Sequence, residues 1–327
     1  MPEPFSVLDL EGRPLGYEPE LSADVLRSMY RWMVFGRQLD ERGLQLQRQG
    51  RLGVWGPMIG QEAAQAGLGQ AMQPGDWIFP SYREAVALSM RGLGLTELFA
   101  YYRGLYWPAD PAKTGVFPIQ IVIGDQALHA VGAGMGFALQ KQSRVAIAVV
   151  GDGATSQGDF LEALNFAGVF KAQSVLFVQN NHWAISVPRT RQTTSETLAQ
   201  KGLAHGVSGV LVDGNDALAV YAVSQWAIER ARRGDGPALV EALTYRIGAH
   251  TTADDPRRYQ PNQEIEDWRR KDPLPRMRRY LEDRGLWDEG AQREAVAEAL
   301  TRIDRAVEQA EGLPVPSLGD YLEAAGG

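Results

Sequence analysis

The sequence predicts an α/β protein: an open, mainly parallel sheet with helices on both faces, extended by N- and C-terminal helical segments. Three observations carry this expectation. Short apolar runs at 77–79, 119–123, 145–150, 175–178, 210–212 and 239–243 alternate with helical segments, the order that builds parallel sheets. The runs are apolar throughout instead of alternating with polar residues, as in strands covered by helices on both sides. A length of 327 residues, 44% of them apolar, suffices for a large core.

In chain order, Pro2, Pro4, Pro14 and Pro19 make 1–20 an extended arm, and Ser22 caps the helix that follows. From 25 to 49, Leu26, Met29, Met33, Leu39, Leu44 and Leu46 keep an imperfect helical period, which fits one long helix or a broken pair. The glycine-rich stretch 50–60, with Trp55 and Pro57, reads as a loop and 61–72 as a helix. After Tyr245 the character changes: 248–261 is polar and contains Asp254-Asp255-Pro256-Arg257-Arg258. Two charged amphipathic helices, about 263–284 and 289–311, are expected to follow. The chain thus divides into an N-terminal arm and helix (1–55), an α/β domain (56–250) and a loop continuing into C-terminal helices (251–327). No internal repeat or low-complexity segment stands out.

Composition removes several function classes. Lys and Arg number 33 against 40 Asp and Glu, a formal net charge of −7, with the basic residues scattered. That offers no counter-charge stripe for nucleic acid or an anionic membrane. The absence of cysteine excludes disulfides, thiolate nucleophiles and zinc–sulfur sites. The first residues show no basic segment leading into an apolar one, and no apolar run approaches the roughly 20 residues that span a bilayer, so a cytoplasmic, bacterial location is expected.

The chemistry concentrates in one strand–helix–strand unit: the run 145–150, then Gly151-Asp152-Gly153-Ala154, a helix from about Gly158, the run 175–178, and Gln179-Asn180-Asn181. A right-handed crossover places two such strands side by side, so Asp152 and Asn181 emerge together at the carboxyl edge, where open parallel sheets bind ligands. Gly151 and Gly153 are expected to let the backbone turn sharply near a bulky anion. Asp152 offers a carboxylate and Asn181 a neutral oxygen, hard donors that suit Mg²⁺ bridging a diphosphate. Amides near Ala154 to Gly158 would add positive dipole toward the same anion. A lone Gly-Asp-Gly is an ordinary turn; the paired Asn-Asn after a second apolar strand gives it weight.

With these motifs, the chain from about 38 to 289 resembles the alpha subunit of the thiamine diphosphate-dependent, decarboxylating component of 2-oxo acid dehydrogenase complexes, nearest in kind to the bacterial pyruvate type. Its other marks are Asp40-Glu41-Arg42, Arg48-Gln49-Gly50-Arg51, Gly60-Gln61-Glu62-Ala63, Ser81-Tyr82-Arg83-Glu84 and Lys271-Asp272-Pro273. The resemblance implies a thiamine diphosphate-binding fold whose 56–250 domain takes the cofactor and Mg²⁺, with an active-site loop opening 251–327. It implies that Asp152, Asn181 and the main-chain carbonyl of Trp183 hold the metal, that Tyr82 and Arg83 reach the diphosphate, and that Gly151, Gly153 and Ala154 cradle it. Ile123 would support the bent cofactor, the Ile121 carbonyl would accept from its amine, and His250 would face the reacting centre, titrating near neutrality.

The same resemblance implies decarboxylation of a small 2-oxo acid and transfer of the acyl fragment to a lipoyl group on an acyltransferase partner. It also implies a beta subunit that completes the site in an α2β2 heterotetramer, since no second comparable sheet domain remains in this chain. Departures from the pattern are informative. Trp183 replaces a common tyrosine, which matters little for a carbonyl ligand. Gln179 and Asp152 stand where branched-chain relatives carry arginine and glutamate, favouring pyruvate. Acetoin and branched-chain 2-oxo acids are the alternatives. Asp125 has no reading from sequence. Thr251 and Thr252 stand where eukaryotic relatives are phosphorylated, and no such control is expected here.

A noncatalytic nucleotide-binding protein would need a Walker lysine or a clean Gly-x-Gly-x-x-Gly, and neither is present. His129 reads as a helix histidine, His205 as a helix-end cap, and His182 as a residue whose backbone matters more than its ring. Trp55, Tyr101, Tyr102, Tyr106 and Trp107 suit either subunit contacts or the core.

Overall fold

The computed structural model describes residues 2–105, 110–320 and 322; Tyr106 and Trp107 lie outside them. In chain order the helices are α1 (Ala23–Arg48), α2 (Glu62–Ala71), α3 (Ala85–Met90), α4 (Leu95–Tyr102), α5 (Pro111–Thr114), α6 (Asp125–Leu139), α7 (Gly158–Phe170), α8 (Ala217–Arg232), α9 (Asn262–Arg269), α10 (Pro273–Glu282) and α11 (Glu289–Glu311). The strands are β1 (Trp77–Phe79), β2 (Ala146–Gly151), β3 (Ser174–Asn180), β4 (Trp183–Ala184), β5 (Val187–Pro188), β6 (Ser208–Asp213) and β7 (Ala238–Leu243). Among the described residues, five of them form one parallel sheet in the order β1-β2-β3-β7-β6, and β4 and β5 pair as a small antiparallel hairpin.

Alternation along each strand assigns the two faces. Ile147 and Val149 of β2 and Val175 and Phe177 of β3 join the core that includes α1, α2 and α8. Ala146, Ala148 and Val150, with Leu176 and Val178, pack instead against α6 and α7. The helices on both faces follow from strands apolar on both sides. The open edge at β6 is covered by the N-terminal arm, where the Phe5 N–H donates to Leu211 O and Asp213 N–H to Phe5 O, both at 3.0 Å. Ser22 caps α1 as expected, its hydroxyl accepting from the Val25 N–H, and 23–48 is one continuous helix.

Two expectations fail, each for a local reason. The run 119–123 forms no strand. Val116 makes a single bridge to Ile78 and the chain then leaves the sheet, because Pro118 has no N–H to continue a ladder. Ile121 and Val122 are left 62% and 65% exposed. The segment 263–284 is two helices, broken where Pro273 cannot extend α9 and Asp272 caps α10 through the Leu274 N–H at 2.9 Å.

Asp272 has a second task. Arg37 of α1 holds both its carboxylate oxygens at 3.1 Å and, through Nε, the buried Glu62 of α2 at 2.6 Å. Removing the cation would leave Glu62 buried and uncompensated. Arg37→Met is therefore expected to cost about 3–5 kcal/mol in urea unfolding.

Candidate active site

The carboxyl ends of β2 and β3 are adjacent, with Gly151 in register with Gln179, so Asp152 and Asn181 leave the sheet side by side. They open into a cavity of about 450 Å³. Tyr82, Arg83, Ile121, Ile123, Gly151, Asp152, Gly153, Ala154, Asn181, Trp183 and His250 all line it, so every site residue expected from the sequence reaches one space.

Asp152 is 1% exposed. Its Oδ2 accepts from Gln192 Nε2 at 2.8 Å, while Oδ1 is buried without a partner. Burial raises its pKa above the ordinary carboxylate range, because the charged form has lost water and the Gln192 hydrogen bond and the Arg246 charge offset that loss only in part. Asn181 Oδ1 accepts from the Trp183 N–H at 3.2 Å. This turn forces His182 to a φ of 69°, a left-handed conformation that side chains avoid, so its backbone role stands. Its ring is buried as well, and desolvation, with Arg189 and Lys271 adding to it, pushes the pKa down to about 4.

The two glycines act differently from expectation. Neither adopts a positive φ. A Cβ on Gly153 would come within 2.7 Å of the Ala184 Cβ, so that glycine permits close approach of the β4–β5 hairpin. One on Gly151 would meet nothing within 4 Å, so the room there belongs to the cavity. Past them the chain makes a 3₁₀ turn over Asp152–Ser156 before α7 begins at Gly158.

On the opposite wall, Arg83 Nη1 donates to the Pro57 carbonyl at 2.7 Å, and Nη2 donates to the His250 carbonyl at 2.6 Å and faces its Nδ1 at 2.8 Å. No carboxylate lies within ion-pairing distance of Arg83 among the described residues, so its charge is open to an anion. The guanidinium expected to fork onto a diphosphate here clamps the loop before α2 to the loop bearing His250. Asp40 fixes the first of these loops by accepting from Trp55 Nε1 at 2.6 Å and from the Met58 and Ile59 N–H groups at 3.0 Å. Its burial pushes its pKa up to about 7. Trp55 and Tyr102 are thereby core residues, and Tyr101 lines the cavity.

Arg246, buried in the segment after β7, was not legible as a site residue. Its Nη1 donates to the Trp183 carbonyl at 3.3 Å, Nη2 to the Ile185 carbonyl and Tyr259 hydroxyl at 2.7 Å each, and Nε to the Gly248 carbonyl at 3.2 Å. Tyr259 in turn bonds Asp254, whose Oδ2 accepts the His250 N–H at 2.7 Å. Burial, then Arg83 and Arg246, push the His250 pKa down to about 4, against the pull of Asp254. The expectation of a histidine titrating near neutrality is thus corrected: burial first, and two guanidinium groups after it, favour the neutral ring. Arg83 donates to Nδ1, which puts the ring proton on Nε2.

Glu84 was also missed. Its buried carboxyl accepts from Gln179 Nε2 at 2.9 Å and from the Arg83 N–H at 3.2 Å, and burial pushes its pKa up to about 7. The folded chain keeps a proton there that the unfolded chain, ionising near 4.5, releases. This group's contribution to stability therefore falls as pH rises from 4.5 to 7. Glu84→Gln is expected to flatten that fall, checked by urea unfolding at about pH 5 and about pH 7.5. Asp125 lies in the first turn of α6 without capping it; burial raises its pKa and its Oδ1 is buried with no partner, and nothing in the structure gives it a role. His129 lies exposed on the same helix, and His205 ends a 3₁₀ turn closed by Gly206 in the left-handed conformation.

No group of three or more His, Cys, Asp or Glu side chains could hold a metal among the described residues. Asp152, Asn181 and a main-chain carbonyl include only one such side chain, and the unpartnered Asp152 Oδ1 is the acceptor a hard cation needs. No helix of the described residues is long and apolar enough to cross a membrane.

The family model described as "Dehydrogenase E1 component" matches residues 30–318. The 3-methyl-2-oxobutanoate dehydrogenase subunit alpha of Mycobacterium tuberculosis is 45% identical over 301 residues, covering 91% of this chain and 82% of that protein. The pyruvate dehydrogenase E1 component subunit alpha of Staphylococcus aureus is 42% identical over 328 residues, covering 98% and 88%. That of Bacillus cereus is 43% identical over 307 residues, covering 93% and 83%.

Proposed function

The chain belongs to the dehydrogenase E1 component family as the alpha subunit of a thiamine diphosphate-dependent 2-oxo acid dehydrogenase, and from that premise we propose that its acid is pyruvate and that it works with Mg²⁺. In this reading a beta subunit completes an α2β2 assembly that passes the acetyl group to a lipoyl-bearing acyltransferase. The observation that carries it is the cavity itself, where a buried carboxylate oxygen without a partner sits beside Asn181 and the residues expected at a diphosphate converge.

Asp152, Asn181 and the Trp183 carbonyl are the residues that would hold Mg²⁺, with Arg246 steadying that carbonyl from behind. Arg83 would present its charge to the diphosphate while keeping the His250 loop against the cavity. Bound thiamine diphosphate supplies a carbon nucleophile and a sink for the electrons released when CO₂ departs. His250, neutral with its proton on Nε2, donates a hydrogen bond to a substrate oxygen and holds that role without change of charge through neutral pH. Ile121, Ile123 and Tyr82 give the reacting end an apolar lining that the beta subunit would have to cover to keep water out.

His250→Asn is expected to lower kcat by about 10²- to 10⁴-fold. The parent enzyme should show no histidine-linked loss of kcat between pH 5.5 and pH 7.5, about the window an ordinary imidazole would impose. Steady-state rates across that range check both.

Pyruvate is favoured by Asp152 and Gln179, neither of which brings the extra length or charge of a glutamate or arginine to the cavity. The relative 45% identical to this chain carries the name of the branched-chain acid and supports that substrate as the second reading. Reconstitution with the matching beta chain, assayed on pyruvate, acetoin and 3-methyl-2-oxobutanoate, decides: the highest kcat/KM should fall on pyruvate, and preference for the branched acid overturns the assignment.

A further inference from the structure

Gln61 belongs to a motif, Gly60-Gln61-Glu62-Ala63, to which the mechanism gives no task. It is fully buried at the head of α2 and lines the cavity, yet its side chain makes no capping hydrogen bond to its own helix. Its Oε1 accepts from Asn181 Nδ2 at 3.4 Å, and its Nε2 is buried with no partner. The cavity therefore contains a donor without an acceptor, on Gln61, and an acceptor without a donor, Asp152 Oδ1. The two do not satisfy each other. Buried polar groups are rarely left unmatched unless something absent completes them. A cation bound to an oxyanion answers both at once: the cation takes the carboxylate oxygen, and an anion oxygen takes the amide hydrogen.

We infer that Gln61 is a diphosphate-end residue, its Oε1 fixing the Asn181 amide so that Oδ1 faces the metal and its Nε2 donating to an oxygen of the metal–diphosphate unit. The inference rests on the reading of the cavity as a Mg²⁺–thiamine diphosphate site. It adds a direct contact and an orienting role. An Asn amide has no intrinsic preference for which end points at a metal, and the bond from its nitrogen to Gln61 adds to the Trp183 N–H on its Oδ1 in fixing one orientation. Glutamine suits both tasks because it offers an acceptor and a donor at the same distance from the backbone.

The test uses the apo chain assembled with its beta partner and titrates it calorimetrically with Mg²⁺–thiamine diphosphate and, separately, with Mg²⁺–inorganic pyrophosphate. Gln61→Glu keeps an acceptor for Asn181 and replaces the donor with a charge; Gln61→Met keeps the length and removes both. Each is expected to weaken both probes by the same factor, about 10- to 100-fold, the worth of a hydrogen bond to a charged group. The thermal midpoint of the apo assembly should stay near that of the parent, and either variant that keeps its fold decides the case. Asp152→Asn is titrated alongside. Cofactor affinity lost in Asp152→Asn but kept within about twofold in the Gln61 variants overturns the role of Gln61 and leaves the site standing. Affinity kept in all of them overturns the site.

Discussion

Asp152→Asn is expected to weaken Mg²⁺-dependent cofactor binding by about 10²- to 10³-fold or more while making the apo protein more stable. The first effect follows from removing the one charge among the oxygens placed for the metal. Breaking a buried charge pair costs about 3–5 kcal/mol, which converts to that factor. The second follows from the state of the carboxylate without metal. It is buried, its Oδ2 accepting from the neutral Gln192 side chain and its Oδ1 without a partner, and burial outweighs the pull of Arg246. An amide of the same shape removes the cost of a desolvated charge and leaves the packing alone. Opposite signs for binding and apo stability distinguish a metal ligand from a structural carboxylate, whose loss would lower both. Calorimetric titration and thermal unfolding of the same preparation provide the two readings.

The isolated chain, saturated with Mg²⁺ and thiamine diphosphate, is expected to show no decarboxylation of 2-oxo acids until a matching beta chain is added. The cavity explains why. Among the described residues its acidic lining residues are Asp152 and Glu84, both assigned to the diphosphate end and its supporting wall, so none of them offers an acid at the far end to protonate the cofactor's pyrimidine ring. The rim there is apolar and uncovered, with Ile121, Ile123 and Ile185 exposed to solvent. The outer face of α7 likewise exposes Leu161, Phe166, Val169 and Phe170, and α6 exposes Leu128 and Leu139. Loss of an acid–base partner alone removes about 10²- to 10⁴-fold in rate, and a site open to water loses more. Turnover by rigorously purified chain would refute the divided site.

Legibility from sequence varied with how local the cause was. The five strands of the main sheet, the cap at Ser22 and the neighbouring tips at Asp152 and Asn181 arise from patterns a few residues long, and the sequence carried them. The run 119–123 misled because an apolar stretch has the same composition whether it enters a sheet or walls a cavity; Pro118 was the signal against a strand. Pro273 was likewise the available sign that 263–284 breaks in two. Trp55 is placed in the core by Gly43, whose missing Cβ makes room for the indole ring, a contact no spacing rule predicts.

Arg246 is the largest omission. Its role depends on acceptors from four residues meeting around one guanidinium, and an arginine just past a buried strand looks in sequence like any other. The electrostatics of His250 were hidden for the same reason. Its depressed pKa comes from burial and from Arg83, 167 residues away in sequence. The identity of the histidine was readable; its charge state required the fold.

The central claim is that Asp152, Asn181 and the Trp183 carbonyl share one divalent ion at the diphosphate end of the cavity. Crystals of the assembled protein grown with Mn²⁺ and thiamine diphosphate, measured at the manganese edge, test it directly. One anomalous peak is expected about 2.0–2.3 Å from Asp152 Oδ1, Asn181 Oδ1 and the Trp183 carbonyl oxygen, with diphosphate density on its far side. A peak elsewhere, or cofactor density in this cavity with no metal between it and Asp152, would contradict it.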